Sequence, residues 1–295
     1  MNVFKKIQSV VRRSGSRNYG KVGIIGVPFE KGQGVKNMSH LSDVAGCTSC
    51  LSEQIQQVLK EGRRVLTLGG DHSLGIGTID GHVKVQYKRK NIIFDASVIW
   101  VDAHADLNTN KTSESGNVHG MPVALLTSEL ADYWPHLPGL KLFPYRLSIR
   151  NVAYIGLRSV DSYERLVIEK FGITAFGIHD VVYMALNKID PNESKSLHVS
   201  FDIDSLDPLE APCTGTPVRG GLSLREAIHL MEELHRTNRL NAVDLVEVNP
   251  HIGNDRDVSL TVEAAIHIIQ AAFGYTRRGL KVPKGITDMP LQTFR

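Results

Sequence analysis

The chain has 295 residues, 42% of them hydrophobic, which is enough to bury the core of one large α/β domain or of two small ones. Its formal charge of +3 is uneven: six basic residues and no acid lie in the first 21 positions, which leaves 28 basic against 31 acidic residues in the remainder. This distribution excludes a nucleic-acid-binding surface over the body of the protein. No apolar run approaches the ~20 residues that a membrane span requires.

The first segment, residues 1–21, is basic, contains serine and has apolar residues at helical spacing. This composition is typical of a mitochondrial transit peptide, and the alternative is a basic arm on a cytosolic protein. No linker rich in Pro, Gly or Ser divides the rest of the chain. We therefore predict a targeting tail over 1–21, one folded domain over 22–279 and a C-terminal tail over 280–295.

Short apolar segments alternate with amphipathic ones along the chain. The segments typical of buried strands are Val22–Val27, Val65–Leu68, Val98–Val101, Val152–Ile155, Leu197–Phe201 and Ala242–Val246. The amphipathic segments are Ser52–Lys60, Ser223–Arg236 and Thr261–Phe273, and Ser223 with Glu226 matches a helix-starting capping box. This alternation predicts an α/β fold, with a mostly parallel sheet covered by helices on both faces.

The chain contains three cysteines, which is a low and odd number. Cys47 and Cys50 form a C-x-x-C pair, but no second pair follows at the spacing of a zinc site, and Cys213 stands alone. We interpret all three as structural or incidental side chains of a protein in a reducing compartment.

Acidic and histidine residues follow three of the predicted strands directly. G-G-D-H-S follows the second strand, D-A-H-A-D the third and D-I-D the fifth. Taken singly, these segments have ordinary explanations: a turn, a polar loop and a helix cap. Because the carboxyl ends of parallel strands meet at one edge of a sheet, together they predict a site for two metal ions such as Mn²⁺. Its candidate ligands are His72, Asp102, His104, Asp106, Asp202 and Asp204.

Four motifs in this order, G-G-D-H-S-L, V-D-A-H-A-D-L-N, S-F-D-I-D-S-L-D-P and L-V-E-V-N-P, resemble those of the ureohydrolases and, within them, the arginases. The resemblance extends from about residue 21 to residue 278. It implies the three-layer α/β sandwich of that family. It also implies a hydrolase that converts L-arginine and water to L-ornithine and urea with two Mn²⁺ ions per subunit. A homotrimer with Arg277 near the subunit contacts is implied as well.

The same resemblance assigns the metal ligands. One manganese would be held by His72, Asp102, Asp106 and Asp202. The other would be held by Asp102, His104, Asp202 and Asp204. A hydroxide bridging the two ions would attack the guanidinium carbon of the substrate, and Asp106 would orient it.

Substrate residues are also implied by the resemblance. Glu247 would bind the guanidinium group, His119 would carry a proton to the departing amine, and Thr216 would line the site. Asn108 and Ser115 would bind the α-carboxylate, and Asp161 and Glu164 the α-ammonium group. For this last pair a loop cap is the alternative interpretation. A decarboxylated substrate such as agmatine would leave Asn108 and Ser115 unpaired, which is costly for buried polar groups.

One departure from the family pattern is large. Roughly 40 residues are missing after the first strand, which would remove an edge strand and leave the first strand at the edge of the sheet. We predict lower stability than that of longer relatives. Two further hypotheses stay open: hydrolysis of another guanidino compound, and an inactive homologue that acts as a scaffold. The complete set of ligands argues against the second.

Overall fold

The computed structural model describes residues 21–30, 41–90, 95–133, 147–176 and 181–276. Within these ranges seven strands form one sheet in the order β1-β2-β7-β6-β3-β4-β5, and every neighbouring pair is parallel. The strands are β1 (Val22–Val27), β2 (Arg64–Gly69), β3 (Ala96–Val101), β4 (Val152–Ile155), β5 (Thr174–Phe176), β6 (Ser196–Asp202) and β7 (Leu240–Val246). The predicted parallel sheet is confirmed.

Helices cover both faces of this sheet. They are α1 (Leu41–Lys60), α2 (Gly75–Lys90), α3 (Pro122–Leu126), α4 (Ser162–Phe171), α5 (Val181–Ile189), α6 (Leu224–Arg236) and α7 (Asp255–Ala272). Side chains of β3 alternate between the two faces, as the strand period requires. Ile99 and Val101 pack with α5, α6 and α7, whereas Val98 and Trp100 pack with α2, α3 and α4. The three-layer α/β sandwich is therefore confirmed.

Most element boundaries agree with the sequence. All six predicted strands are present, and α6 begins after Ser223, whose hydroxyl and Glu226 form the predicted capping box. The predicted Ser52–Lys60 is the second half of the longer helix α1, and α7 begins at Asp255, six residues before the predicted start. Strand β5, of three residues, was not predicted.

The outer strands of the described sheet are β1 and β5. The edge position of β1 agrees with the sequence expectation, while the missing segment itself stays a prediction. Residues 1–20, 31–40 and 277–295 lie outside the described residues, and so do the targeting tail, the C-terminal tail and Arg277. None of the described helices is long and apolar enough to cross a bilayer.

Candidate metal centre and substrate cavity

The candidate ligands lie at the carboxyl ends of β2, β3 and β6, which are brought together by the parallel order β2-β7-β6-β3. His72 begins a single 3₁₀ turn after β2, capped by the side chain of Asp71. The turn needs a glycine before it, because a Cβ on Gly70 would lie 1.6 Å from the carbonyl oxygen of Phe29. Asp202 is the last residue of β6, and Asp204 lies in the 3₁₀ turn that follows.

The first cluster surrounds the imidazole of His72. Its Nδ1 atom lies 3.0 Å from Asp102 Oδ2, 3.1 Å from Asp202 Oδ2 and 3.3 Å from Asp106 Oδ2. This nitrogen is buried, yet none of these contacts has the geometry of a hydrogen bond. Three carboxylate oxygens converging on one imidazole nitrogen are typical of ligands arranged around a cation.

A second cluster lies beside the first and shares Asp102 with it. His104 Nδ1 lies 3.1 Å from Asp204 Oδ2 and 3.4 Å from Asp102 Oδ1. In each of the two groups, His72–Asp102–Asp106 and Asp102–His104–Asp204, one ligand atom per residue lies within 4.8 Å of the others. The arrangement fits two adjacent divalent cations, because carboxylate and imidazole are ligands that such ions accept in proteins.

The electrostatics of the clusters support this fit. Burial raises the pKa values of Asp106, Asp202 and Asp204, and neighbouring carboxylates raise them further. Burial also opposes ionisation of Asp102, but the imidazoles of His104 and His72 beside it hold its pKa below the ordinary value.

The pKa values of the two imidazoles are raised as well. Burial favours their neutral forms, yet Asp102 and Asp204 raise the pKa of His104 to about 11, and Asp102 raises the pKa of His72. Without cations, protons on these groups compensate the carboxylates. Two divalent ions would supply the positive charge instead.

Two residues at the centre have left-handed backbones. Asp106 has a φ of 51° and Glu247 a φ of 61°, although neither is glycine. This conformation is uncommon for residues with a side chain and costs of order 1–3 kcal/mol. Such strain is concentrated at functional sites, and here it turns both carboxylates toward the cavity described next.

A cavity of about 200 Å³ opens above the clusters. The predicted site residues that line it are His72, His104, Asp106, Asn108, His119, Asp161, Glu164, Asp202, Thr216 and Glu247. Asp102 and Asp204 are buried beneath them. Ser115 lies on an exposed loop outside the cavity wall, where its hydroxyl accepts the backbone N–H of Asn117.

One wall of the cavity is held by the start of α4. Asp161 is the N-cap of this helix and forms a capping box with Glu164, so the loop-cap interpretation describes real contacts. The same residues face the site, because Asn108 Nδ2 donates to Asp161 Oδ2 at 2.5 Å and Leu107 N–H donates to Glu164. Burial raises the pKa of Glu164 to about 7.

Glu247 and His119 also line the cavity. Glu247 Oε1 accepts the backbone N–H of His72 at 2.9 Å and lies 3.8 Å from His119 Nδ1. Burial raises the pKa of Glu247 to about 7. Burial, and then the charged imidazoles of His72 and His104, lower the pKa of His119 to about 4. Thr216 Oγ1 donates to Asp204 Oδ2 at 3.1 Å, which joins the cavity rim to the second cluster.

Comparison with known proteins decides the family. The model of the arginase family matches residues 31–274. The chain belongs to the arginase family. The hepatic arginase of Aquarana catesbeiana is 41% identical over 282 residues, which covers 90% of this chain and 84% of that relative. Mitochondrial arginase-2 of Rattus norvegicus is 42% identical over 238 residues, which covers 78% and 65% respectively.

Solved arginases share the fold. The arginase of Entamoeba histolytica, determined in complex with L-ornithine, matches with a TM-score of 0.75 at 28% identity. The match covers 87% of this chain and 99% of that structure. The sequence motifs, the clustered ligands and the fold therefore agree on the arginase family.

Two residues of this arginase-family site were not predicted from the sequence. Trp100 stacks on His72 with ring centroids 3.9 Å apart, and its Nε1 donates to Asp102 Oδ2. Arg158 donates to backbone carbonyls of five residues that follow β4 and β6: Gly156, Asp204, Ser205, Leu206 and Val218. The position of Trp100, two residues before Asp102 on the same strand face, was a usable signal, whereas nothing local to Arg158 revealed its partners.

Proposed function

We propose that this chain is an arginase that converts L-arginine and water to L-ornithine and urea at a centre of two Mn²⁺ ions. The observation that carries the proposal is the pair of buried ligand clusters sharing Asp102 at the carboxyl ends of the strands. The complex of the E. histolytica relative with L-ornithine supports the identity of the product.

We assign the metal ligands as two overlapping sets. One ion would contact His72, Asp102, Asp106 and Asp202. The second would contact Asp102, His104, Asp202 and Asp204. When bound, the cations would supply Lewis-acid activation of water at neutral pH, which hydrolysis of a resonance-stabilised guanidinium requires. The remaining steps depend on the side chains around them.

Glu247 would bind the guanidinium group of the substrate. Its carboxylate accepts the His72 N–H and its side chain is only 9% exposed, so a cationic partner would form a strong charge-assisted hydrogen bond with it. The guanidinium would also favour the ionised carboxylate and thereby lower a pKa that burial has raised to about 7.

His119 and Asp106 would move the proton. Burial lowers the pKa of His119 to about 4, so its protonated imidazole is a stronger acid than free imidazolium and would readily pass a proton on to the departing amine nitrogen. The Asp106 carboxylate lies 3.3 Å from His72 Nδ1 and lines the cavity, where it would orient the attacking water and hold its proton.

The cavity wall at the start of α4 would bind the amino-acid end of arginine. Asn108 and Ser115, the latter from the exposed loop outside the cavity wall, would bind the α-carboxylate, and Asp161 and Glu164 the α-ammonium group. The bond from Asn108 to Asp161 holds the two halves of this subsite together. Agmatine lacks the α-carboxylate and would leave Asn108 without that partner.

Urea release by the Mn²⁺-loaded protein, with L-arginine and agmatine compared, tests the proposal. We expect urea from arginine and none from agmatine, with two manganese ions per chain by elemental analysis. Asn108→Ala should lower kcat/KM for arginine at least about tenfold. Asn110→Ala, two residues along the same loop and outside the cavity wall, is the matched control. Urea from agmatine alone would indicate a different ureohydrolase, and absence of bound metal would favour the scaffold hypothesis.

Location and assembly belong to the same proposal. The basic residues 1–21 and the similarity to rat mitochondrial arginase-2 support a mitochondrial location for the catalytic domain over 22–279. The family resemblance supports a homotrimer. Residues 1–21 fused to a fluorescent protein should direct it to mitochondria, and light scattering should give the mass of three chains; cytosolic fluorescence or a monomer mass would contradict these two statements.

A further inference from the structure

A chain of buried polar side chains extends from the metal centre into the interior, away from the cavity. Its middle is Asp244, a fully buried residue of β7 whose side chain faces α2. Asp244 Oδ2 accepts Thr78 Oγ1 at 2.6 Å and His198 Nε2 at 2.8 Å, and Ser200 Oγ lies 3.5 Å away. A buried carboxylate is costly, so its position among these donors calls for a reason beyond packing.

One arm of the chain joins Asp244 to the metal centre. Ser200 Oγ lies 2.9 Å from His72 Nε2, while His72 Nδ1 faces the carboxylate ligands. A metal-binding Nδ1 carries no proton, so Nε2 must carry one and donate it to Ser200 Oγ. The hydroxyl hydrogen of Ser200 is then directed to Asp244. Removal of this acceptor would release both the ring orientation and the tautomer of His72.

The other arm approaches Asp244 from the amino ends of the strands. Asn241 Nδ2 donates to Ser196 Oγ, which lies 2.7 Å from His82 Nε2. His82 Nδ1 and His198 Nδ1 are 3.3 Å apart. One assignment of hydrogens satisfies these contacts: Ser196 donates to His82, His82 to His198 and His198 to Asp244. Both arms thus end on the same carboxylate.

We propose that Asp244 is a positioning residue for metal binding, held by His198 and acting on His72 through Ser200. The proposal rests on the metal centre proposed above. Groups that hold the far nitrogen of a metal-ligating imidazole typically change metal affinity by 10- to 100-fold when they are removed. Only the ion bound by His72 should depend on these buried polar side chains. His104, which would bind the other ion, has its contacts with Asp102 and Asp204 instead.

Calorimetric titration of the metal-stripped full chain with Mn²⁺ tests this. Wild type should bind two ions. Asp244→Asn, which removes the charge, should weaken one of them roughly tenfold, and Ser200→Ala by about 10- to 100-fold, with the other unchanged. Excess Mn²⁺ should restore urea release in both variants, because neither residue touches the substrate cavity. A shift of the His72 ring ¹⁵N resonances in both variants is the second expected result.

Thr67→Val is the matched control. Thr67 is the register partner of Asp244 in β2, is fully buried, and its hydroxyl has no hydrogen-bond partner. This variant should bind both ions as wild type does. Equal binding of two ions by wild type, Asp244→Asn and Ser200→Ala would overturn the positioning role. Failure of wild type to bind Mn²⁺ at all would instead overturn the metal centre. If Asp244→Asn does not fold, Ser200→Ala alone decides the question.

Discussion

Buried carboxylates at the two ends of the sheet differ in what compensates their negative charge. At the amino ends, Asp190 is only 1% exposed, and it accepts the Arg239 guanidinium and the backbone N–H groups of Ser194 and Lys195. At the carboxyl ends, Asp102, Asp106, Asp202 and Asp204 lie together, and Arg158 near them donates to backbone carbonyls instead. Asp190 receives its counter-charge from the chain.

This difference separates a carboxylate that serves stability from carboxylates that serve chemistry. Asp190 is neutralised as soon as the chain folds. The cluster at the other end is compensated by the imidazoles of His72 and His104, whose pKa values are raised by the same carboxylates. A fold would gain nothing from four such groups unless cations replace those protons.

The largest expected effect is on activity. Asp202→Asn should lower urea release from L-arginine by at least about a thousandfold, because a ligand shared by both proposed ions is lost. The metal-free variant should unfold at the same temperature as metal-free wild type or higher, since one source of like-charge repulsion is removed. Urea assays and thermal melting measure the two. Activity within tenfold of wild type would refute the shared-ligand role.

At the amino ends of the strands we expect a substitution to lower stability and to leave activity unchanged. Asp190→Asn should lower the free energy of unfolding by roughly 2–3 kcal/mol, because it leaves the guanidinium of Arg239, itself 15% exposed, without its carboxylate. Activity per folded molecule should not change. Chemical denaturation and active-site titration provide the measurements, and a loss below about 1 kcal/mol would show that the pair is not stabilising.

Metal removal should make stability depend on pH. In the folded chain burial raises the pKa of Glu164 and of Glu247 from 4.5 to about 7, so both bind protons more tightly there than in the unfolded chain. Their contribution is complete below pH 4.5 and is lost as the pH rises through 7, by an amount on the order of 3 kcal/mol per group. Denaturation of the metal-stripped protein from pH 5 to 8 should show this decline, and Glu164→Gln should reduce it. A stability that rises over this range would contradict the assignment.

The smallest expected effect concerns Thr216 at the rim of the cavity. Thr216→Val keeps the shape of the side chain but removes the hydrogen bond to Asp204, and should lower kcat/KM for arginine about tenfold, equivalent to about 1.4 kcal/mol. Thr214→Val nearby is a suitable control, because the Thr214 hydroxyl is buried without a hydrogen-bond partner. Equal losses in the two variants would assign the effect to the loop rather than to Asp204.

Much of the fold was readable because its strands are continuous apolar runs, as expected for a sheet buried on both faces. Strand β5 was missed because T-A-F is too short to show a period. The first half of α1 combines small and polar residues such as Gly46 and Thr48, although Val44 and Ala45 are buried. The start of α7 depends on a capping box between Asn254 and Asp257, in which aspartate replaces the usual glutamate.

The candidate site also contains residues that local sequence predicts and residues that it does not. Asp102, His104 and Asp106 were candidate ligands because all three follow one strand at a spacing of two, and the motifs after two other strands completed the prediction. The roles of Asp244 and Arg158 depend on partners contributed by other strands, and the sequence around each resembles ordinary strand and loop. Local patterns therefore predict ligands, whereas the groups that hold ligands in place become visible only in three dimensions.

The bond from the His72 N–H to Glu247 joins positions 175 residues apart, and it has a consequence for the order of events during folding. Strand β7, one of the last elements in the chain, inserts between β2 and β6, both made before it. Pairings of this range are slow to form. A nascent chain must therefore be synthesised beyond residue 246 before Glu247 can contact His72. On refolding, recovery of activity should follow the insertion of β7 rather than the earlier formation of helices.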